Sequence, residues 1–377
     1  MQFIDLKAQF QKIETRVRKN IDIVLEHGKF IMGPEIKELE EKLASYTGTE
    51  YCVTCSSGTD ALLMALLAYD IGPGDAVFTP PFTFIATAEV ITLLGATPVY
   101  VDIDPKTFNI DTEKLRAAVC DLKEGKKPTS KIPDGLTAKA IIPVDLFGLP
   151  ADYDVVNEIA RENNLVVIED AAQSFGASYK GKQTCNLANI AATSFFPAKP
   201  LGCYGDGGAV FTNDKEIADK LISLRVHGKG TDKYDNVRTG LNGRLDTLQA
   251  AVLLAKMEVF ADEVAQRQVV AQLYSEGLKE AVDVPYIPEG YQSAWAQYSI
   301  LSDNKTEMMG KLKENGIPTA VYYPKPLHLQ TAFAYLGYEP GSMPVSESAS
   351  EKIFSLPMHP YLNQNDQDRI IDIIAGS

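Results

Sequence analysis

The stretch SFFPAKPLGCYGDGGAVFTN, residues 194–213, sets a lysine among prolines and directly before a glycine-rich loop. Lys199 stands next to Pro200, and glycines follow it at positions 202, 205, 207 and 208. Glycine lets a backbone turn sharply and approach a ligand closely, and AVFTN then continues as a strand. A lysine on the solvent-exposed surface, which is the usual place for this residue, does not need such a setting. The pattern therefore favours a lysine that reaches a bound molecule.

The composition is that of an ordinary globular protein. The chain has 377 residues, of which 45% are hydrophobic and 23% are charged, so it can bury a large core and form about two domains. A net charge of -14 argues against a general affinity for nucleic acid or anionic membranes. No apolar run approaches the roughly 18 residues that span a bilayer, so no membrane partner is expected.

Cysteine usage indicates a reduced, cytoplasmic protein. The five cysteines are an odd number, and the opening MQFIDLKAQF lacks the apolar core of a secretory signal. Cys52 and Cys55 form a CxxC, but a zinc site would require a second pair, and the chain has none. We therefore expect buried strand cysteines and no metal site.

Strands and helices alternate from residue 51 to residue 170. Two helices come first, the earlier one stopping at Gly28, and then YCVTC, AVFTP, TPVYVDI, KAIIPVDLF and LVVIED read as strands separated by helical segments. Such alternation predicts βαβ units, hence an α/β fold with a mainly parallel central sheet and helices on both faces. The polar, lysine-rich segment 123–135 interrupts this rhythm and is predicted to be an exposed loop.

The pattern changes after residue 212. Long helical segments follow, and one from about residue 244 to 281 is long enough that we expect it to kink or break and to bridge a large domain and a smaller one. The remainder, with AWAQYSILS and TAVYYP as strands, reads as α+β. The predicted domains are a large one over 1–260 and a smaller C-terminal one over 261–377. The N-terminal helices belong to the first and are expected to fold back onto the second.

Two other segments join the lysine in one chemical pattern. SSGTDALLMAL (56–66) is a glycine-containing turn between a strand and a helix, where backbone N–H groups can hold an anion, although a plain tight turn fits it equally well. VIEDAAQSFGA (167–177) ends an apolar strand at Asp170, which is where α/β folds bind ligands, although a helix-capping aspartate is the competing interpretation.

Together the three segments match the needs of pyridoxal 5′-phosphate. This cofactor requires a lysine for a covalent bond to its aldehyde, an acid beside its pyridinium nitrogen and a cradle for its phosphate. Lys199 and Asp170 supply the first two, and Gly58, Thr59 and Ser194 supply the third. A nicotinamide-dependent dehydrogenase would instead need a GxGxxG fingerprint after the first strand, which the chain lacks.

The motifs resemble those of a known family. FIDLK, GPEIKELE, SSGTDAL, GDAVFTPPFTFIATA, VIEDAAQSFGA, SFFPAKPLGCYGDGG, GLNGRLDTLQAA and SLPMHPYL stand in the order found in the DegT/DnrJ/EryC1/StrS nucleotide-sugar aminotransferases, of the aspartate-aminotransferase-like fold type I class. The resemblance covers nearly the whole chain, with segment 123–135 as an addition. It implies a pyridoxal-phosphate enzyme that transfers an amino group.

The resemblance also implies roles for single residues. Lys199 matches the lysine that bonds to the cofactor, and Asp170 matches the acid beside the pyridine nitrogen. The other matches are Phe84 stacking on the ring, Gln173 near the ring hydroxyl, Gly58, Thr59 and Ser194 at the phosphate, and Asn242 reaching the phosphate of a neighbouring subunit. The last match implies a homodimer with shared active sites.

Within the family, the chain is similar to enzymes that aminate C3 of a UDP-2-acetamido-2-deoxy-3-keto-hexuronic acid for surface polysaccharide such as O-antigen. L-Glutamate is then the expected amino donor. Arg244 is the candidate for the uronate carboxylate, with a helix-start salt bridge as the other interpretation, and Tyr322 and Tyr323 are candidates for the sugar pocket. The alternatives are an aminotransferase for a 4-keto-6-deoxy nucleotide sugar and a regulator that keeps the fold without catalysis.

Overall fold

A computed structural model of the chain describes residues 1–232 and 234–376. The helices are α1 Leu6–His27, α2 Pro34–Thr47, α3 Gly58–Ala68, α4 Ala86–Leu93, α5 Thr112–Lys123, α6 Tyr153–Asn163, α7 Lys215–Leu224, α8 Thr247–Leu278, α9 Lys305–Glu314, α10 Pro344–Lys352 and α11 Gln364–Ala375. The strands are β1 Tyr51–Cys55, β2 Asp75–Thr79, β3 Thr97–Tyr100, β4 Thr137–Ile141, β5 Val166–Asp170, β6 Ser178–Tyr179, β7 Lys182–Gln183, β8 Ile190–Ser194, β9 Gly208–Thr212, β10 Tyr291–Gln292, β11 Tyr298–Leu301 and β12 Ile353–Leu356.

A seven-stranded sheet forms the centre of the fold. Its strand order is β1-β9-β8-β5-β4-β2-β3, and β9 runs antiparallel to both of its neighbours while the pairs from β8 to β3 are parallel. The mainly parallel sheet of an α/β fold is therefore confirmed. Because β1, β2, β4, β5 and β8 share one direction, their carboxyl ends lie along the same edge, where such folds bind ligands.

Apolar residues cover both faces of this sheet. Alternate residues of the central strands pack with α3, α4 and α7 on one face, and the intervening residues pack with α2, α6 and α8 on the other. This is the period-two pattern of strands that are buried on both sides. Cys52 and Cys55 belong to β1 and are buried free thiols, as predicted.

The helix α8 corrects one prediction. It is a single helix of 32 residues, whereas a kink or a break was expected from its length, so the break is ruled out. It packs against α1 and α2 near its start and against α11 near its end. It buries side chains along its whole length. Within the helix there is no proline, and Gly277, in its last turn, is the first glycine, so no residue forces a break. Its role as a bridge between two domains stays a prediction.

The C-terminal part has its own apolar cluster. Side chains of α8, β11, α9, β12 and α11, from Val270 to Ile374, pack together around the short antiparallel pair β11–β12. The division of the chain at residue 260, which falls within α8, stays a prediction. The expected strand in TAVYYP is wrong, because only Ala320 pairs, in an isolated bridge to Ser355.

The segment 123–135 is largely exposed but is anchored at one point. Ile132 is buried against the turns 327–338, and Thr129 donates a hydrogen bond to the carbonyl oxygen of Leu336. The prediction of a simply exposed loop therefore needs this correction. Among the residues described, no helix combines the length and the apolar character that crossing a membrane requires.

Candidate active site

The loop after β8 carries Lys199 to the carboxyl edge of the sheet. β8 ends at Ser194, and the backbone N–H of Lys199 then donates to the carbonyl oxygen of Phe196 at 2.9 Å. A Cβ atom at Gly202 would lie 2.5 Å from the carbonyl oxygen of Pro197, which real Cβ contacts do not tolerate. Glycine is therefore required where the loop folds back, as the sequence suggested.

The surroundings of Lys199 disfavour its charged form. Burial lowers the pKa of Lys199 to about 8, and the carboxylate of Asp170 opposes part of that effect. The residue is half-buried, so a ligand can still reach its side chain. The uncharged amine is the nucleophilic form, and a lowered pKa raises its fraction near neutral pH.

Asp170 is buried at the end of β5. Its Oδ2 accepts a hydrogen bond of 2.8 Å from the hydroxyl of Thr87, and its Oδ1 accepts one of 3.2 Å from the backbone N–H of Ala172. Burial raises the pKa of Asp170, whereas these two donors and the charge of Lys199 favour the carboxylate. The structure therefore brings Lys199 and Asp170 close enough to affect each other's charge, while their roles toward a cofactor stay predictions.

The start of α3 and the end of β8 form one cradle. A Cβ atom on Gly58 would lie 2.6 Å from Cβ of Ser194, so the two segments touch. Ser57 caps the helix by accepting from the N–H of Asp60, and Thr59 lies in the first turn. Free N–H groups at a helix start attract an anion. The predicted trio Gly58, Thr59 and Ser194 is thus brought to one place.

Aromatic side chains line the next part of the edge. Nε2 of Gln173 donates to the hydroxyl of Tyr323 at 3.2 Å, and its Oε1 accepts from the N–H of Phe147 at 2.8 Å. Phe84 is 54% exposed, and its ring centroid lies 6.5 Å from that of Tyr323. Tyr322 packs against Tyr323 at 5.8 Å. The sequence-predicted aromatics therefore form a continuous aromatic wall, in which Phe84 is exposed.

Asn242 and Arg244 lie on a loop beside the cradle. The carbonyl oxygen of the intervening Gly243 accepts from the N–H of Ser56 at 3.1 Å. Arg244 donates to Oδ1 of Asn242 through Nε at 3.1 Å and Nη2 at 2.7 Å. Because a guanidinium only donates, it holds the amide oxygen and leaves the amide NH₂ pointing elsewhere. The contact of Asn242 with a second subunit stays a prediction.

Two residues of this site were missed by the sequence reasoning. Thr87 donates a hydrogen bond to the carboxylate of Asp170. Asp145 is buried near Asp170, and its carboxylate accepts hydrogen bonds from the hydroxyls of Ser174 at 2.7 Å and Tyr153 at 2.9 Å. Burial raises the pKa of Asp145 to about 7, with the neighbouring charge of Asp170 adding to it. Thr87 stands in the motif GDAVFTPPFTFIATA and Asp145 in the predicted strand KAIIPVDLF, but residue type alone does not reveal what they contact.

A family model for the DegT/DnrJ/EryC1/StrS aminotransferase family matches residues 11–375. The chain belongs to this family. Members of the DegT/DnrJ/EryC1/StrS family are pyridoxal-phosphate-dependent nucleotide-sugar aminotransferases, and this chain is accordingly an enzyme of that kind.

Named relatives agree with this assignment. The chain is 50% identical, over 96% of each sequence, to a UDP-2-acetamido-2-deoxy-3-oxo-D-glucuronate aminotransferase of Pseudomonas aeruginosa. It is similar, with 53% identity and a TM-score of 0.95 over 100% of this chain and 99% of the other, to the crystal structure of an aminotransferase of the family from Brucella abortus. It is also similar, with 26% identity, a TM-score of 0.86 and coverage of 96% and 95%, to the PLP form of a putative sugar aminotransferase from Streptococcus pneumoniae.

The residues present fit the cofactor. The half-buried amine of Lys199, the buried carboxylate of Asp170 and the cradle of Gly58, Thr59 and Ser194 offer the three contacts that pyridoxal 5′-phosphate needs. A Cβ at Gly58 would crowd that cradle, and the exposed side chain of Phe84 offers a surface for the cofactor ring. Among the described residues, no three His, Cys, Asp or Glu side chains are arranged to hold a metal ion.

Proposed function

We propose that this enzyme transfers the amino group of L-glutamate to C3 of a UDP-2-acetamido-2-deoxy-3-keto-hexuronic acid. The observation that carries the catalytic part is the half-buried Lys199, with a pKa near 8, beside the buried Asp170. The Pseudomonas aeruginosa relative, with 50% identity, supports the substrate class. A diamino-uronic acid of this kind would serve surface polysaccharide, O-antigen included.

The chain's own residues explain how the amino group could be moved. Pyridoxal 5′-phosphate supplies an electron-poor ring that stabilises negative charge at a carbon losing a proton. Asp170, whose carboxylate form is favoured by the hydroxyl of Thr87 and the N–H of Ala172, would hold a proton on the ring nitrogen. Nζ of Lys199 would take the proton from the carbon of glutamate that bears the amino group, as a general base, and would later give a proton to C3 of the sugar, as a general acid.

Arg244 is the proposed contact for the uronate carboxylate. Two of its guanidinium N–H groups hold Asn242, and the others are available for a planar carboxylate. Tyr322 and Tyr323 extend the aromatic wall away from Phe84, and we assign them to the sugar. The hydroxyl of Tyr323 is oriented by Gln173, so a hydrogen bond from it would have a defined direction.

We also propose a homodimer with shared active sites, located in the cytoplasm. Phe30, Ile31 and Met32 are each at least 41% exposed, which is unusual for adjacent apolar side chains. Ile31 pairs with Asp246, two residues beyond Arg244. An apolar surface next to the Asn242 loop supports a second copy that covers it. The five free cysteines suit a reducing compartment.

The decisive experiment is a spectrum of the purified protein with added pyridoxal 5′-phosphate. We expect an absorption band near the visible edge, which L-glutamate removes and the 3-keto sugar restores. Lys199→Ala should lack the band and lose activity by about 100-fold or more. Lys256→Met is the matched control, because Lys256 is another buried lysine with a pKa of about 8, and it should keep both. Retained amino transfer in Lys199→Ala would refute the assignment.

The competing substrate is a 4-keto-6-deoxy nucleotide sugar. Such a sugar has no carboxylate, so the guanidinium of Arg244 would have no anionic group on the sugar ring to bind. Assays with both sugars, for the wild-type enzyme and for Arg244→Met, separate the two possibilities. Our proposal expects activity on the 3-keto-uronate alone and a loss of affinity for it in the variant. Preference for the 4-keto sugar would overturn the substrate assignment while leaving the chemistry of Lys199 in place.

A further inference from the structure

A small cavity lies beside Lys199, away from the aromatic wall. Its lining comes from four parts of the chain, namely the N-terminal segment with the start of α1, the loop after β8, the buried side of α8 and the turn after β12. The residues are Ile4, Asp5, Leu6, Gln9, Lys199, Pro200, Arg267, His359, Pro360 and Tyr361. The cavity measures about 10 Å³, which is close to the space that a single water molecule requires. It is therefore too small for a substrate.

Two buried acceptors on the cavity lining lack a donor. Nε2 of Gln9 donates to both carboxylate oxygens of Glu263, at 3.0 and 2.9 Å, so Oε1 is the opposite end of that amide. Oε1 of Gln9 and Nδ1 of His359 are fully buried and have no hydrogen-bond partner in the part of the chain that the structure describes. Buried polar atoms are almost always paired, so both atoms require a donor.

The ring of His359 is neutral and presents Nδ1 as an acceptor. Burial, together with the charge of Arg267, lowers the pKa of His359 to about 4. The imidazole hydrogen-bonds the backbone of Gln2, and Nδ1 is the nitrogen without a partner, so the other nitrogen makes that contact. A neutral ring that donates from one nitrogen accepts at the other. A molecule with two donors would thus satisfy His359 and Gln9 at once.

The N-terminal segment, α8 and the 358–361 turn, which line the cavity together with Lys199, are joined to one another in an arrangement that we call the clasp. The N–H of Met358 donates to the carbonyl oxygen of Phe3 at 3.2 Å, so the N-terminal segment pairs with the turn after β12. Glu263 of α8 accepts from Gln9 and from the hydroxyl of Tyr361. The chain start, the long helix and the 358–361 turn are therefore tied together next to Lys199.

We propose that this cavity binds one ordered water molecule, which donates to Oε1 of Gln9 and to Nδ1 of His359 and so completes a clasp that positions Lys199. Gln9 and His359 are then positioning residues, since they act on Lys199 through the water and the lysine loop rather than on the substrate. The inference rests on the proposed role of Lys199 as the proton carrier. A bridging water is nearly as favourable as a direct hydrogen bond, and this one would satisfy both acceptors.

The first test is a crystal structure of the wild-type enzyme with its cofactor, at a resolution that shows ordered water. We expect one water within hydrogen-bond distance of both Oε1 of Gln9 and Nδ1 of His359. A cavity without that density, or one filled by a side chain, overturns the proposal. This result does not depend on how any variant folds, nor on which sugar or amino donor the enzyme uses.

The second test compares two replacements of His359 that keep different nitrogens. His359→Asn keeps a polar group near the Nδ1 position, whereas His359→Gln keeps one near the other nitrogen and removes the contact with the water. We expect His359→Gln to lower kcat per cofactor-bound enzyme about fivefold, the equivalent of one ordinary hydrogen bond, with the KM for glutamate unchanged. His359→Asn should restore most of that loss.

Hydrogen exchange reports on the clasp itself. The amide of Met358 should exchange about fivefold faster in His359→Gln than in the wild type, and close to the wild-type rate in His359→Asn. If His359→Gln and His359→Asn show the same exchange rate at Met358, whether raised or unchanged, the proposal is overturned. Such a result would mean that the stability of the clasp does not depend on the hydrogen bond at Nδ1. Failure of the proposed function would show differently, as a wild-type protein that never forms the visible band.

Discussion

The hydroxyl of Thr87 donates a 2.8 Å hydrogen bond to Oδ2 of Asp170. Thr87 lies in the first turn of α4, and Asp170 is the last residue of β5, so the bond joins two elements at the carboxyl edge of the sheet. It opposes the effect of burial, which raises the pKa of Asp170. An active-site acid thus depends on a residue that has no direct contact with its chemistry.

Thr87→Val should therefore weaken the enzyme on the acid side of its pH profile. Removing the donor raises the pKa of Asp170 further, so the carboxylate is protonated at a higher pH when the solution is acidified. We expect the acid limb of kcat/KM to move to higher pH, with a loss of about fivefold on that limb. Thr87→Ser keeps the hydroxyl and serves as the control. An unshifted limb in Thr87→Val would contradict this account.

Sequence reasoning could place Lys199 and Asp170 together because both follow strands of one parallel sheet. The carboxyl ends of such strands meet at one edge whatever the loops between them do. The glycines after Lys199 likewise revealed a tight loop, since few other residues allow one. The family motifs then supplied the aromatic wall, of which Phe84 and Tyr323 are members.

The rest could not be predicted because it depends on contacts between distant segments. Nothing local to TAVYYP shows that only Ala320 would find a strand partner. The burial of Glu263 is equally invisible in the sequence, because its partners Gln9 and Tyr361 come from the two ends of the chain. The continuity of α8 depends on packing along its whole length, which a limit on helix length does not capture.

The lowered pKa of Lys199 predicts a cost in stability for the cofactor-free enzyme. The pKa falls from 10.5 to about 8 on folding, so the charged form is disfavoured in the native state. That cost is fully present below pH 8 and disappears as the pH rises through 10.5. Lys199→Met should therefore increase the free energy of unfolding at pH 7 by about 2 kcal/mol, a value reduced to allow for the partial exposure of the residue.

Denaturant unfolding of the cofactor-free wild type and of Lys199→Met at pH 7 and at pH 10 checks this expectation. The advantage of the variant should shrink at the higher pH, because the native lysine, with a pKa of about 8, is then already uncharged and the unfolded lysine begins to lose its proton as well. The same advantage at both values would mean that lost charge burial is not the cause. A gain in stability at the expense of activity is typical of active-site replacements.

Gly58→Ala should weaken cofactor binding. The new Cβ would lie 2.6 Å from Cβ of Ser194, so either α3 or the end of β8 must shift and the cradle opens. We expect the dissociation constant of pyridoxal 5′-phosphate, measured by fluorescence titration, to rise about tenfold, the equivalent of one lost contact to a charged group. Gly310→Ala is the matched control, since nothing lies within 4 Å of its added Cβ. Equal dissociation constants for Gly58→Ala and Gly310→Ala would show that Gly58 does not contribute to binding the cofactor.

Ile132→Ala should destabilise the fold even though it lies in a polar loop. The side chain is 1% exposed and packs among Leu327, Phe333 and Leu336, so truncation leaves a cavity. We expect a loss of about 2–4 kcal/mol in the free energy of unfolding, measured by denaturant titration. Ile222→Ala, at a 48% exposed position of α7, should change stability by less than about 0.5 kcal/mol. Similar small effects in both variants would show that segment 123–135 does not anchor to the 327–338 turns in solution.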